Sequence, residues 1–161
     1  MKPTRPLVLL FVTLATATTA FFIAGFLVGR GFSIPASPSN LVVTVAAIAT
    51  VLLALAVPIW RYRAALKDHS GKRPKRVDPF YAVRVLLLAK ASSMGGSLFL
   101  GWHLGVISFQ MATPVVAFSP LLQNLLGAFS SLVLIIAALV TEQICRLPKD
   151  SSSEPDEAVG V

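Results

Sequence analysis

Residues 83–105 read VRVLLLAKASSMGGSLFLGWHLG, and the reading of this stretch decides the fold. Past Arg84 it holds one charge, Lys90, among aliphatic, aromatic and small residues. As a helix it extends about 34 Å at ~1.5 Å per residue, enough to cross a hydrocarbon core of about 30 Å. Lipid offers nothing to pair with backbone amides and carbonyls, so a run of this kind must be helical. It is too long for a barrel strand.

Three more runs resemble it. The spans expected from hydropathy are residues 7–29, 41–60, 83–110 and 121–142. The chain has 161 residues, 55% of them apolar and 13% charged. A soluble domain of this size carries about a quarter charged residues. The mean hydropathy is +0.78. The expected fold is all-α, an integral membrane bundle of four transmembrane helices occupying residues 1–147. A polar, acidic tail, PKDSSSEPDEAVGV at residues 148–161, reads as disordered.

The first run has a rival reading as a cleaved signal, because Lys2 and Arg5 precede it and ATATTA at residues 15–20 supplies small residues. The apolar pattern continues unbroken through FFIAGFLVG at residues 21–29, which favours a retained span.

The formal charge is +7, and its distribution gives it meaning. Seven of the fourteen Lys and Arg (Arg61, Arg63, Lys67, Lys72, Arg73, Lys75 and Arg76) fall in a basic loop at residues 61–79. Lys2 and Arg5 precede the first span, and Arg146 and Lys149 follow the last. The other two loops hold Arg30 alone. Basic residues stay on the cytoplasmic side, so both termini are expected there, in the plasma membrane. Trp60, Tyr62, Phe80 and Tyr81 flank the basic loop as an aromatic belt does, and Pro35, Pro38, Pro114 and Pro120 punctuate the outer loops. The basic residues are expected to contact anionic head groups at ~1 kcal/mol each. Without interleaved aromatics or a nucleic-acid fold, no nucleic-acid partner is expected.

Catalytic signatures are sparse. The single cysteine, Cys145, excludes an internal disulfide and a CxxC site, and the two histidines, His69 and His103, lie in different segments. There is no HExxH, P-loop or GxSxG. No cofactor and no metal are expected.

Small residues carry the clearest pattern. Ala89, Ser93, Ser97, Gly101 and Gly105 recur every four positions in the third span. Gly25 and Gly29 form a GxxxG in the first, and Ala46, Thr50 and Ala54 a weaker stripe in the second. Small side chains let backbones approach closely. Such a stripe serves packing within the bundle or docking of another membrane protein. Pro58 is expected to bend the second span without breaking it.

Lys90 sits about 9 Å beyond Arg84 along the helix, and its stem can lift the ammonium toward the cytoplasmic interface. Glu142, the only acid in or bordering the spans, lies about 6 Å inside the level of Arg146. Lys90 and Glu142 are therefore a candidate intramembrane ion pair, with Arg146 as a rival partner at i+4. His103 is about 20 Å from Lys90 along the helix, too far for a direct relay, and reads as an interfacial or packing residue.

TRPL (residues 4–7), LLLAKASSMGGSLFLGWHLG (86–105) and TEQICRLPKD (141–150) together resemble a family of small four-span actinobacterial membrane proteins of unknown function. Lys90, Ser92, Gly101, Trp102, Gly105, Glu142, Cys145 and Arg146 occupy its motif positions. After Trp102 this chain has His103 where such relatives often carry tyrosine, so a role for an aromatic hydroxyl does not carry over. The resemblance implies an integral plasma-membrane protein, often encoded near folate-synthesis genes, and no established activity.

Three functional readings follow from the residues. The leading one is a non-enzymatic accessory or scaffold subunit that binds a larger membrane or cell-envelope complex, or a second copy, through the third-span stripe. The alternative is a small oligomeric transporter or lipid-handling protein using Lys90 and Glu142. A membrane enzyme is disfavoured because one acid, one lysine and one distant histidine are too few for nucleophile, base and orienter. The topology has a direct test. A reporter active only in the cytoplasm should work when fused after Val161, and one working only outside would reverse the orientation.

Overall fold

The structure, a computed structural model, describes residues 4–67, 78–114 and 117–145. Four helices account for nearly all of them: α1 (Pro6–Gly29), α2 (Ser39–Lys67), α3 (Pro79–Ala112) and α4 (Phe118–Cys145). All four are long and apolar enough to cross a membrane, and no strand occurs among the described residues.

Local chemistry sets several ends. Pro6 opens α1, where its missing N–H costs nothing, and Pro79 opens α3 in the same way. Asp78 caps α3, its carboxylate accepting from the Phe80 amide at 2.9 Å. Gly31, at φ +84, turns the chain away from α1, and its amide donates to the Val28 carbonyl at 2.9 Å.

Three helices outrun the hydropathy boundaries. α2 continues past Trp60 to Lys67, so Arg61 and Arg63 stand on a helix and not in the expected loop. α3 begins before Val83, and α4 reaches back to Phe118, placing Pro120 in its first turn. The α2 extension RYRAALK is rich in alanine, leucine, lysine and arginine, good helix formers, so the helix continues after hydropathy fades. α2 also continues through Pro58, as expected for a span. His69, Lys72, Arg73, Lys75, Arg76, Arg146 and the tail at 148–161 lie outside the described residues.

The order in space is not the order in sequence. α3 packs on α1 and on α4, and α4 packs on α2. α2 touches α3 lightly, and α1 meets neither α2 nor α4. The helices thus follow the order α1, α3, α4, α2, with α4 the most buried and α1 the least.

α1 and α3 run in the same direction in a nearly constant register. Thr13 donates its hydroxyl to the Ser97 carbonyl, 84 residues on, at 3.3 Å. One turn along, a Cβ on Gly101 would lie 2.5 Å from the Thr13 carbonyl oxygen and 2.8 Å from the Thr16 Cβ. A Cβ on Gly105 would collide with the Ala17 carbonyl oxygen. Further on, Gly25 lies against the Phe109 ring, which also meets Phe21 edge-on with centroids 5.7 Å apart.

α3 and α4 run antiparallel. Gly96 faces Ile135 and the Ser131 carbonyl, and Gly127 faces His103. Toward the basic end, Ala89, Ala138 and Leu52 form a buried cluster. A second cluster joins Ile59, Val85, Leu86 and Cys145, so α2, α3 and α4 meet there. Tyr81 reinforces that end by donating its hydroxyl to the Leu55 carbonyl at 2.9 Å, which makes it a tie between α3 and α2. Trp60 and Phe80 stay exposed.

The small-residue patterns divide accordingly. The third-span stripe is not one face. A spacing of four advances about 40° around a helix at each step. Ala89 therefore reaches α2 and α4, while Ser97, Gly101 and Gly105 reach α1. In the first span Gly29 has nothing within 4 Å of its would-be Cβ and takes no part in packing. In the second, Ala46, Thr50 and Ala54 face outward while Val45, Ala49, Leu52 and Ala56 are buried. Thr50 satisfies its hydroxyl on the Ala46 carbonyl at 3.0 Å and needs no partner helix.

This geometry separates the glycines by consequence. Gly105→Leu should lower stability by about 1–3 kcal/mol, the usual cost of overpacking. Gly29→Ala should stay within about 0.5 kcal/mol of wild type. Thermal unfolding in one detergent measures both, and equal losses would contradict the α1–α3 contact.

Candidate functional site

The chemistry-bearing side chains gather along the α3–α4 seam. Its polar residues come mainly from one face of α4. Asn124, Gly127, Ser131, Leu134, Ala138, Thr141 and Cys145 follow alternating steps of three and four, and all are buried. That is the heptad pattern of closely packed helices, written here in small and polar residues.

At the basic end the seam holds Glu142, 4% exposed. Its Oε1 accepts the backbone N–H of Thr4 at 2.8 Å, so the segment leading into α1 is tied to α4 although the two helices never touch. Thr141 beside it is fully buried, and its hydroxyl has no partner among the described residues. Lys90 is half-buried on α3, one residue past the Ala89–Ala138 level. Side chains on a helix lean toward its N-terminus. In this antiparallel pair Lys90 thus leans toward the basic end and Glu142 leans inward, toward each other's level. Ser93 is buried beside Lys90 and donates its hydroxyl to the Lys90 carbonyl at 2.9 Å.

Arg63 has a structural task. Its Nη1 donates to the carbonyls of Gln143 at 3.1 Å and Ile144 at 2.7 Å. These belong to the last turn of α4, whose carbonyls lack intrahelical donors and carry the negative end of the helix dipole. The expected lipid-facing arginine is therefore partly spent in holding α2 to α4. Arg61 is exposed, and Lys67 contributes the last residue of α2.

In the middle of the seam Ser130 and Ser131 donate to the Gly127 carbonyl at 3.0 and 2.8 Å. His103 is 2% exposed. Its Nδ1 donates to the Phe99 carbonyl at 2.6 Å, since a carbonyl can only accept. Its Nε2 edge occupies the space where Gly127 has no side chain. The histidine is a packing residue whose shape requires a glycine opposite.

At the other end Asn124 donates to the Pro35 carbonyl at 3.0 Å, fastening the α1–α2 connection onto α4. Gln110 is fully buried, and both atoms of its carboxamide lack partners among the described residues. No group of three or more His, Cys, Asp and Glu comes together among the described residues to hold a metal. The motif residues Ser92 and Trp102 are half-buried on α3, and Cys145 is buried at the end of α4.

Thr4, Asn124, Ser131, Thr141 and Gln110 were not singled out by sequence reasoning. The three-four spacing on α4 was the available signal. That spacing covers Asn124, Ser131 and Thr141, and it differs from the strict four-residue repeat of small residues that marks α3.

A family model described as a protein of unknown function (DUF3180) matches residues 7–149. Neither the curated proteins nor the solved structures hold a match to this chain.

Coupling between Lys90 and Glu142 can be measured. If they pair, Lys90→Met and Glu142→Gln should be non-additive by 0.5–3 kcal/mol in a double-mutant cycle on detergent stability. Additive effects would rule the pair out.

Proposed function

Since the chain belongs to the DUF3180 family, described only as proteins of unknown function, we propose its role from its own geometry. It is a non-enzymatic accessory or scaffold subunit of a larger membrane or cell-envelope complex. It sits in the plasma membrane with both termini cytoplasmic and with its first span retained. The observation that carries this reading is the exposed position of α1, which packs on α3 alone and leaves the side between α1 and α2 unclosed. Phe11, Phe22 and Phe26 stand exposed on α1. A partner helix that joins α1 and α2 would close the bundle. The docking face first expected on the third span does not serve, because α1 already covers Gly101 and Gly105.

The scarcity of titratable groups in the spans supports a non-enzymatic role. Retention of α1 is supported by the same contact, since removing it would strip the cover from Ser97, Gly101 and Gly105.

A second reading, a small oligomeric transporter or lipid-handling protein using Lys90 and Glu142, draws on one observation. Near both ends of the seam, at Thr141 and Gln110, buried polar atoms have no partners among the described residues. Such atoms cost about 1–3 kcal/mol each when left unsatisfied, and a polar occupant would relieve that.

The two readings part under site-directed photo-crosslinking in the native membrane, with the probe at Phe22 on α1 or at Phe129 on the exposed face of α4. A stoichiometric adduct to one defined protein, or to a second copy, from Phe22 but not from Phe129 is the expected result. Lipid adducts alone from both positions would overturn the accessory role.

A further inference from the structure

The surface of α2 toward α4 carries a shallow, open-sided recess of about 220 Å³ lined by Leu53, Ala56, Val57, Trp60 and Ile144. Its origin is local. Leu53, Val57 and Trp60 follow one another at four and then three residues along one side of α2, so the recess runs along the helix for about 10 Å. Ala56 is 1% exposed and supplies too little side chain to fill the middle. Ile144 of α4 forms the opposite wall. Leu53, Val57 and Trp60 are exposed at the rim, so the recess opens on the side that faces lipid.

Charge sits at one end only. Arg63 is one turn past Trp60, and its Nη1 lies 2.7 Å from the carbonyl oxygen of Ile144, the residue that forms the wall. Arg61 is exposed beside Trp60. A guanidinium carries five N–H donors in a planar fork that matches phosphate, and two carbonyl bonds from one nitrogen do not use them all. An apolar slot running along α2 and ending at a tryptophan and an arginine matches the sequence of environments along one phospholipid: acyl chain, interface, phosphate.

We propose that this recess is a binding site for one anionic glycerophospholipid, with an acyl chain along Leu53, Ala56 and Val57 and its phosphate against Arg63. The site is separate from the α1 face on which the accessory role rests, so either can fail without the other. The lipid also has a structural effect. It covers the α2–α4 joint where Arg63 closes the end of α4.

The test uses the full chain in nanodiscs of one part phosphatidylglycerol to four parts phosphatidylcholine, followed by native mass spectrometry after release. Wild type should retain one phosphatidylglycerol per chain. Val57→Trp, which fills the recess from its exposed rim, should lose it. Leu122→Trp, an exposed substitution near the opposite end of the bundle, should keep it. Retention by Val57→Trp, or equal retention of both lipids by wild type, overturns the proposal.

A second measurement does not depend on the folding of a filled variant. In Trp102→Phe, Trp60 is the sole tryptophan of the chain. Brominated phosphatidylglycerol should quench it at about fivefold lower mole fraction than brominated phosphatidylcholine, the factor one basic residue provides near an anionic surface. Equal quenching by the two lipids would reduce the recess to ordinary annular contact.

Discussion

The close approach of α1 to α3 at Gly101 and Gly105 is the contact on which the arrangement of this bundle depends. Inside a bilayer, apolar side chains gain nothing by leaving lipid for protein, so association rests on van der Waals fit and hydrogen bonds. Two glycines one turn apart let the α1 backbone reach the α3 backbone, and Thr13 bridges the helices in the same register. α1 has no other helix to hold it. Its bare aliphatic and aromatic faces would be equally content in lipid, so the placement of α1 rests largely on this short stretch of missing side chains, with the Thr4–Glu142 bond fastening the segment that leads into it.

The α3–α4 seam solves the same problem differently. There the interlocking surfaces are small and polar together: His103 fits opposite Gly127, the serines return their hydroxyls to their own helix, and alanines meet at Ala89 and Ala138. Serine and threonine pack like alanine once their donor is paired with a carbonyl one turn back. Thr141 departs from this rule, and its hydroxyl and the Gln110 carboxamide have no partners among the described residues.

The basic end is tied together by long-range polar contacts: Thr4 to Glu142, Arg63 to the last turn of α4, and Tyr81 to Leu55. Each uses a backbone group near a helix end, where the helix itself leaves donors or acceptors over. Together they draw all four helices to one level at the interface where the basic residues accumulate. At the opposite end Asn124 is tied to Pro35 in the same way. The helices are thus fastened mainly at the basic end, while α1 packs along α3 alone.

Several features were legible in the residues alone. Four apolar runs longer than a bilayer core dictated four helices, because a backbone in lipid can satisfy itself in no other way over those lengths. Glycines at Gly101 and Gly105 and a lone acid at Glu142 announced themselves as unusual for the same reason. What the linear pattern did not decide was the neighbour of each helix. Helical spacing states which residues share a face but not which helix covers it, so Gly29 and Thr50 carried the right motif and met nothing. A four-residue repeat drifts around the helix, so one apparent stripe on α3 was divided between α1 and α4. Nor did sequence reasoning choose the fastenings at Thr4, Arg63 and Asn124. Each joins a side chain to a backbone group far away in the chain, and only the packed tertiary structure brings such groups within a hydrogen bond.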